Sequence, residues 1–139
     1  MLSFLKELKR KRELRNLQVS FYFEVEKNWE SWHVMYQRNV MDKFSLDAWL
    51  RIKDQPSIQL KPDFVEYAVV LKNYNDLMDS FKAFEKWYAA DLKNKTTENA
   101  KVLHEKKNAV SEKFKEMKDM VKGIKIEAEN ELKNFKVNR

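Results

Sequence analysis

The stretch "LQVSFYFEVEKNWESWHVMYQ", residues 17–37, decides the fold. Its first nine residues alternate, with Leu17, Val19, Phe21, Phe23 and Val25 apolar at every second position, as in a half-buried strand. Its second half sets Trp29, Trp32 and Tyr36 at steps of three and four, as on one face of a helix. A strand needs a partner for its backbone N–H and C=O groups. The chain offers poor ones: "SIQL" (57–60) is four residues long, and "IKIEAE" (124–129) sits inside a helical stripe. Neither Gly nor Pro occurs between Met1 and Pro56 to stop a helix. At helical period Leu14, Leu17, Phe21, Val25, Trp29, Trp32, Tyr36 and Val40 share one face. The helical period accounts for 27 residues and the strand period for nine, so a helix is expected over about 2–42.

Composition points the same way. The chain has 139 residues, enough for one domain (1–139) with a real core. It is 43% hydrophobic and 36% charged, too apolar for disorder. One Gly and two Pro allow few tight reversals, so long helices must make up the bulk. Pro56 and Pro62 bracket a linker, "KNKTT" (93–97) marks a second break, and "DKFS" (42–45) a softer third, where Ser45 is a candidate N-cap. Further helices are therefore expected over about 45–53, 62–93 and 97–136. The last carries an apolar stripe of Val110, Phe114, Met117, Val121, Ile124, Ala128, Leu132 and Phe135, interrupted only by Gly123. The helix from Pro62 carries Tyr67, Leu71, Tyr74, Met78, Phe81, Tyr88 and Leu92, widened by Val70, Leu77 and Phe84. Asp63 and Glu66 stand at capping-box spacing at its start.

The expected fold is all-α: an antiparallel bundle of three long helices, running up, down and up, plus one short helix, with coiled-coil-like packing. Val19, Phe23, Val34 and Met41 fall roughly opposite the main stripe of the first helix. They need a second contact, either the short helix carrying Leu46, Trp49 and Leu50 or another copy of the chain, which makes them a candidate self-association face and a homodimer an expectation.

Charge is uneven. The net charge is +6, of which residues 1–16 hold +4, residues 17–96 hold −1 and residues 97–139 hold +3. The dense run is "KELKRKRELR", with Lys6, Lys9, Arg10, Lys11, Arg12 and Arg15. In an up-down-up bundle this run lies beside the turn bearing Lys93 and Lys95, and the two form one basic pole that attracts phosphates of lipid or nucleic acid. Ahead of the run Leu2, Phe4, Leu5 and Leu8 give a short apolar edge, as on a membrane-surface or partner-docking helix. Aromatics do not interleave with the run, so no base-stacking platform is visible.

Other chemistry has little support. With no Cys there is no disulfide, thiolate metal site or cysteine nucleophile. Lacking a disulfide framework, the chain is expected in a reducing, cytoplasmic setting, peripheral at a membrane at most. Glu30 and His33 have the Glu-x-x-His spacing of di-iron bundles, but His104 is preceded by Lys101 where a second motif needs Glu, so no metal is expected. One Gly precludes a glycine-rich phosphate loop, and Glu24, Glu26, Glu127, Glu129 and Glu131 read as solvated charge. Fifteen of eighteen aromatics lie between residues 21 and 88 and are expected to fill the core rather than line a cofactor pocket. No cofactor and no catalysis are expected. The sequence supports a non-enzymatic interaction protein that docks an anionic membrane surface or a protein partner, with nucleic-acid binding as the alternative and a metal- or ligand-binding helical enzyme as the third reading.

Overall fold

The structure, a computed structural model, describes residues 2–137. It is an all-α bundle without strands among those residues: α1 (Leu2–Arg38), α2 (Asp47–Ile52), α3 (Pro62–Ala90), α4 (Thr97–Glu116) and α5 (Lys118–Val137), with a 3-10 turn at Leu92–Asn94. The period conflict in residues 17–37 resolves as helix. Phe21, Val25 and Trp32 are buried, while Phe23 is exposed. Of the alternating residues Leu17 and Val19 are partly buried against the core, and Tyr22 and Asn28 widen the buried face beyond the predicted stripe.

α1 ends at Arg38, not near residue 42. Asn39 adopts φ 53°, a left-handed conformation that Asn tolerates. The Asn39 N–H donates to the Tyr36 carbonyl and the Val40 N–H to that of Met35, closing the helix in a Schellman motif without glycine. Tyr36 and Val40 consequently fall outside the core.

The chain directions differ from up, down and up. The segment after α1 runs back along it: Ser45 meets Asn28, Trp49 packs on Phe21 with ring centroids 6.0 Å apart, and Ser57 reaches Arg10. α3 then starts beside the middle of α1, with Phe64 against Phe21 (5.8 Å) and Tyr22 (5.3 Å). Its next turn brings Tyr67 to Asn28, so α3 runs parallel to α1. The connection over 39–61, with α2 inside it, is long enough to make the return that a tight turn would not. The α4–α5 rod is antiparallel to both. Arg15 meets Phe135 and Trp32 meets Phe114 on the α1 side, while Lys61 meets Glu131 and Ser80 meets Lys106 on the α3 side.

That rod is two helices where one was expected, and the break is at Met117 rather than at Gly123. The predicted stripe is otherwise in place: Val110, Phe114, Met117, Val121, Ile124, Ala128 and Leu132 are buried and Phe135 packs against them. A Cβ built at Gly123 meets nothing within 4 Å, so this glycine is simply a surface residue.

Trp32 lies between Tyr36 (5.3 Å, 10°) and Phe114 (4.8 Å, 9°) in a near-parallel aromatic stack. The core thus absorbs most of the aromatics. One buried polar residue sits among them. Asn28, 2% exposed, donates to the Ser45 carbonyl and to Tyr67 Oη and accepts from the Ser45 N–H.

Candidate anionic-surface interface

α1 is much longer than the face it buries. Every residue from Leu2 to Glu13 is exposed, and burial begins at Leu14 and Arg15. The α5 helix meets α1 at Phe135, opposite Arg15. The first three turns of α1, roughly 18 Å long at about 1.5 Å per residue, carry only exposed side chains, and Arg10 on them meets Ser57 of the 39–61 connection. On them Leu2, Phe4, Leu5 and Leu8 are exposed among Lys6, Lys9, Arg10, Lys11 and Arg12.

The positive groups differ in their freedom. Arg15 is tied to the bundle: its guanidinium donates to the Phe135 carbonyl at 2.6 Å and lies 5.4 Å from the centre of that ring. It anchors the helix rather than offering charge to a ligand. Arg10 donates to Ser57 Oγ (2.7 Å) and pairs loosely with Glu7 at 3.8 Å, both contacts at the surface. The first turn holds no acidic residue, so the positive end of the helix dipole adds to the side-chain charge.

Lys93 and Lys95 are not part of this pole. They lie in the turn between α3 and α4, and from Phe114, level with Trp32, α4 runs a further five turns away from the N-terminal helix to reach them. The single basic pole of the sequence reading is two separate basic ends, because α1 and α3 are parallel. Beyond the last α1 residue, the end of α3 and the start of α4 form a two-helix hairpin with its own exposed apolar residues, Trp87 (47%) and Leu92 (83%).

The self-association face is also divided. Val19 and Met41 pack against the core, the latter because the left-handed turn at Asn39 carries it off the helix into a crevice with Met35, Tyr36 and Phe114. Phe23 and Val34 remain exposed, three turns apart with Lys27 and Glu30 between them in sequence. The homodimer expectation rests on these two side chains alone.

Three polar features escaped the sequence reading. Glu24 is half-buried rather than solvated, and caps α2 from another helix. Its carboxylate accepts from Ser45 Oγ and the Ala48 N–H, both at 2.9 Å, and from the Trp49 N–H at 3.4 Å. Ser45 is not the N-cap; Leu46 holds that position without a side-chain bond. The capping box at Asp63 and Glu66 likewise does not form. Asp63 instead faces Glu127 across a groove shared with Glu66 and Asp119. There burial and Asp63 raise the Glu127 carboxyl above its ordinary value, and Glu127 Oε2 is buried without a hydrogen-bond partner. Glu131, close by, pairs with Lys61 at 2.9 Å. The Glu30–His33 motif points elsewhere. Glu30 is exposed, and His33 stands edge-on to Trp29 with centroids 4.2 Å apart. Among the described residues no group of three or more His, Cys, Asp or Glu could hold a metal ion, and no helix is long and apolar enough to cross a membrane.

No protein-family model matches the chain, and the searches of curated proteins and of solved structures return no match.

Proposed function

We propose that the protein is a non-enzymatic, peripheral membrane-binding bundle that docks an anionic bilayer through the exposed start of α1. The observation that carries this reading is the combination on one exposed stretch of helix: apolar Leu2, Phe4, Leu5 and Leu8 exposed on the same three turns as Lys6, Lys9, Arg10, Lys11 and Arg12. A bilayer surface suits both halves of that pattern. The apolar side chains enter the headgroup boundary, and each Lys or Arg close to an anionic leaflet contributes about 1 kcal/mol. A protein groove would need a more continuous apolar stripe, because Arg12 and Arg15 follow Leu8 along the helix where further apolar anchors would be required.

The test is co-sedimentation with phosphatidylcholine vesicles containing phosphatidylserine. The wild type should bind, and binding should weaken from low to high salt because the attraction decays over about 8 Å at physiological ionic strength. Replacing Lys9, Arg10, Lys11 and Arg12 together with Gln should remove this docking contact while leaving the helical circular dichroism intact, since none of the four is buried. Equal binding by both forms, or salt-independent binding, overturns the reading. Co-purifying nucleic acid that high salt removes, with no vesicle binding, assigns the basic helix to nucleic acid instead.

A further inference from the structure

We infer that the crevice between the end of α1 and the middle of α4 binds a small aromatic carboxylate. The left-handed turn at Asn39 makes the site, because it carries Met41 off the helix and against Met35, Tyr36 and Phe114. These four side chains wall a space of about 230 Å³. A cavity of about 150 Å³ is enough for benzene, and drug-sized ligands need about 300 Å³ or more, so the space suits one or two rings. The walls favour rings over chains. Phe114 and Tyr36 both stack on Trp32, at 4.8 and 5.3 Å, which fixes their planes. The two methionines adapt their shape to a ring, and their sulfurs attract its edge.

The mouth of the crevice is positive. Lys107 and Lys115, both exposed, line it and follow Ser111 and one another at steps of four, so the three form one row along α4. Neither lysine takes part in a salt bridge among the described residues, and no acid lines the crevice. The acids of this stretch of α4, Glu105, Glu112 and Glu116, lie about 100° or more around the helix from the middle of that row. The Asp42 carboxylate, next to Met41, is turned onto its own backbone and accepts from the Lys43 N–H at 2.8 Å. An aromatic ring bearing one carboxylate matches both parts. The ring enters among the apolar walls, while the carboxylate stays at the mouth beside the two ammonium groups, where water still reaches it and no bare charge is buried. Tyr36 lies about 40 Å from Lys9 along α1 at about 1.5 Å per residue, so this site does not depend on the bilayer contact proposed above.

Methionine-methyl NMR of the full chain tests the site, with 2-naphthoate as the probe. Titrated into the millimolar range, it should shift the Met35 and Met41 signals saturably and leave that of Met78, buried in the core, in place. The neutral 2-naphthalenemethanol and the straight-chain octanoate should each bind more weakly. Replacing Lys107 and Lys115 together with Gln alters only exposed side chains, so the fold should survive. That variant should bind 2-naphthoate about tenfold more weakly, the effect of two surface ion pairs, and the alcohol as well as wild type does. No saturable shift at Met35 and Met41 overturns the site. Binding of 2-naphthoate that is unaffected by the two substitutions, or matched by the alcohol, overturns the carboxylate assignment, and tighter binding of octanoate overturns the aromatic one. Shifts at Met78 as large as those at Met35 place the probe in the core and overturn the crevice as its site.

Discussion

The indole N–H of Trp32 donates to the backbone carbonyl of Phe114 at 2.9 Å, three residues before the break between α4 and α5. In an unbroken helix that carbonyl would accept from the Lys118 N–H. Here the bonds across the junction are those of Met117, whose N–H donates to Lys113 and whose carbonyl accepts from Val121. The interruption is thus a tertiary feature: α1 reaches across and takes a carbonyl from the rod. The Lys118 ammonium lies 5.7 Å from the centre of the Trp32 ring.

Trp32→Phe keeps the aromatic stack and removes the donor. The buried Phe114 carbonyl then lacks its partner, and stability should fall by about 1–3 kcal/mol. Urea denaturation should show a lower midpoint at unchanged slope. A variant as stable as wild type would mean that the carbonyl has regained the Lys118 N–H as its helical partner, so that the loss of the indole costs nothing.

Glu24→Ala should free the amino end of α2. That helix has six residues and no cap of its own, so its first N–H groups depend on the Glu24 carboxylate. Loss of the cap should cost about 1–2 kcal/mol. Amide exchange at Ala48 and Trp49 should accelerate far more than at Leu71 in the core. Uniform acceleration would show that α2 unfolds only with the whole domain.

Asn28→Leu places an apolar side chain of similar size among Ser45 and Tyr67, leaving their polar groups unpaired. A loss of about 3 kcal/mol is expected. Burial already raises the Tyr67 phenol well above the ordinary tyrosine range, the Asn28 bond opposing that shift, so the hydroxyl stays neutral and its bond to Asn28 is an uncharged one. Adding Tyr67→Phe should therefore cost less in the Asn28→Leu background than in wild type. Strict additivity in a double-mutant cycle would refute the coupling.

Glu127→Gln should stabilise the protein at neutral pH. Desolvation and the neighbouring Asp63 raise the Glu127 pKa in the folded state, so the folded chain holds this proton more tightly than the unfolded chain. Stability attributable to the group therefore decreases as pH rises from the ordinary carboxylate value through the raised one. The substitution should raise the melting temperature at pH 7 and leave it unchanged near pH 3. Thermal melts at the two pH values measure the difference; an equal gain at both would exclude ionisation as its cause.

The residues alone determined that the chain is helical and which face of each helix is apolar. Scarce Gly and Pro and a sustained 3.6-residue period are local properties, and the stripe from Val110 to Leu132 is buried as its spacing requires. The basic run from Lys6 to Arg12 and the apolar residues before it were equally legible, because charge and polarity are carried by composition. Left-handed Asn39 was not, since Asn can end a helix in that conformation but Asn16 and Asn28 lie inside the same helix without stopping it. Only the tertiary structure decided the direction of α3, because that depends on where the 39–61 connection crosses. With that direction came the separation of Lys93 and Lys95 from the N-terminal run. The burial of Asn28, the capping of α2 by Glu24 and the break at Met117 follow the same logic: each is a polar group answered by a partner from a different helix, and no local pattern encodes a partner 17 to 82 residues away.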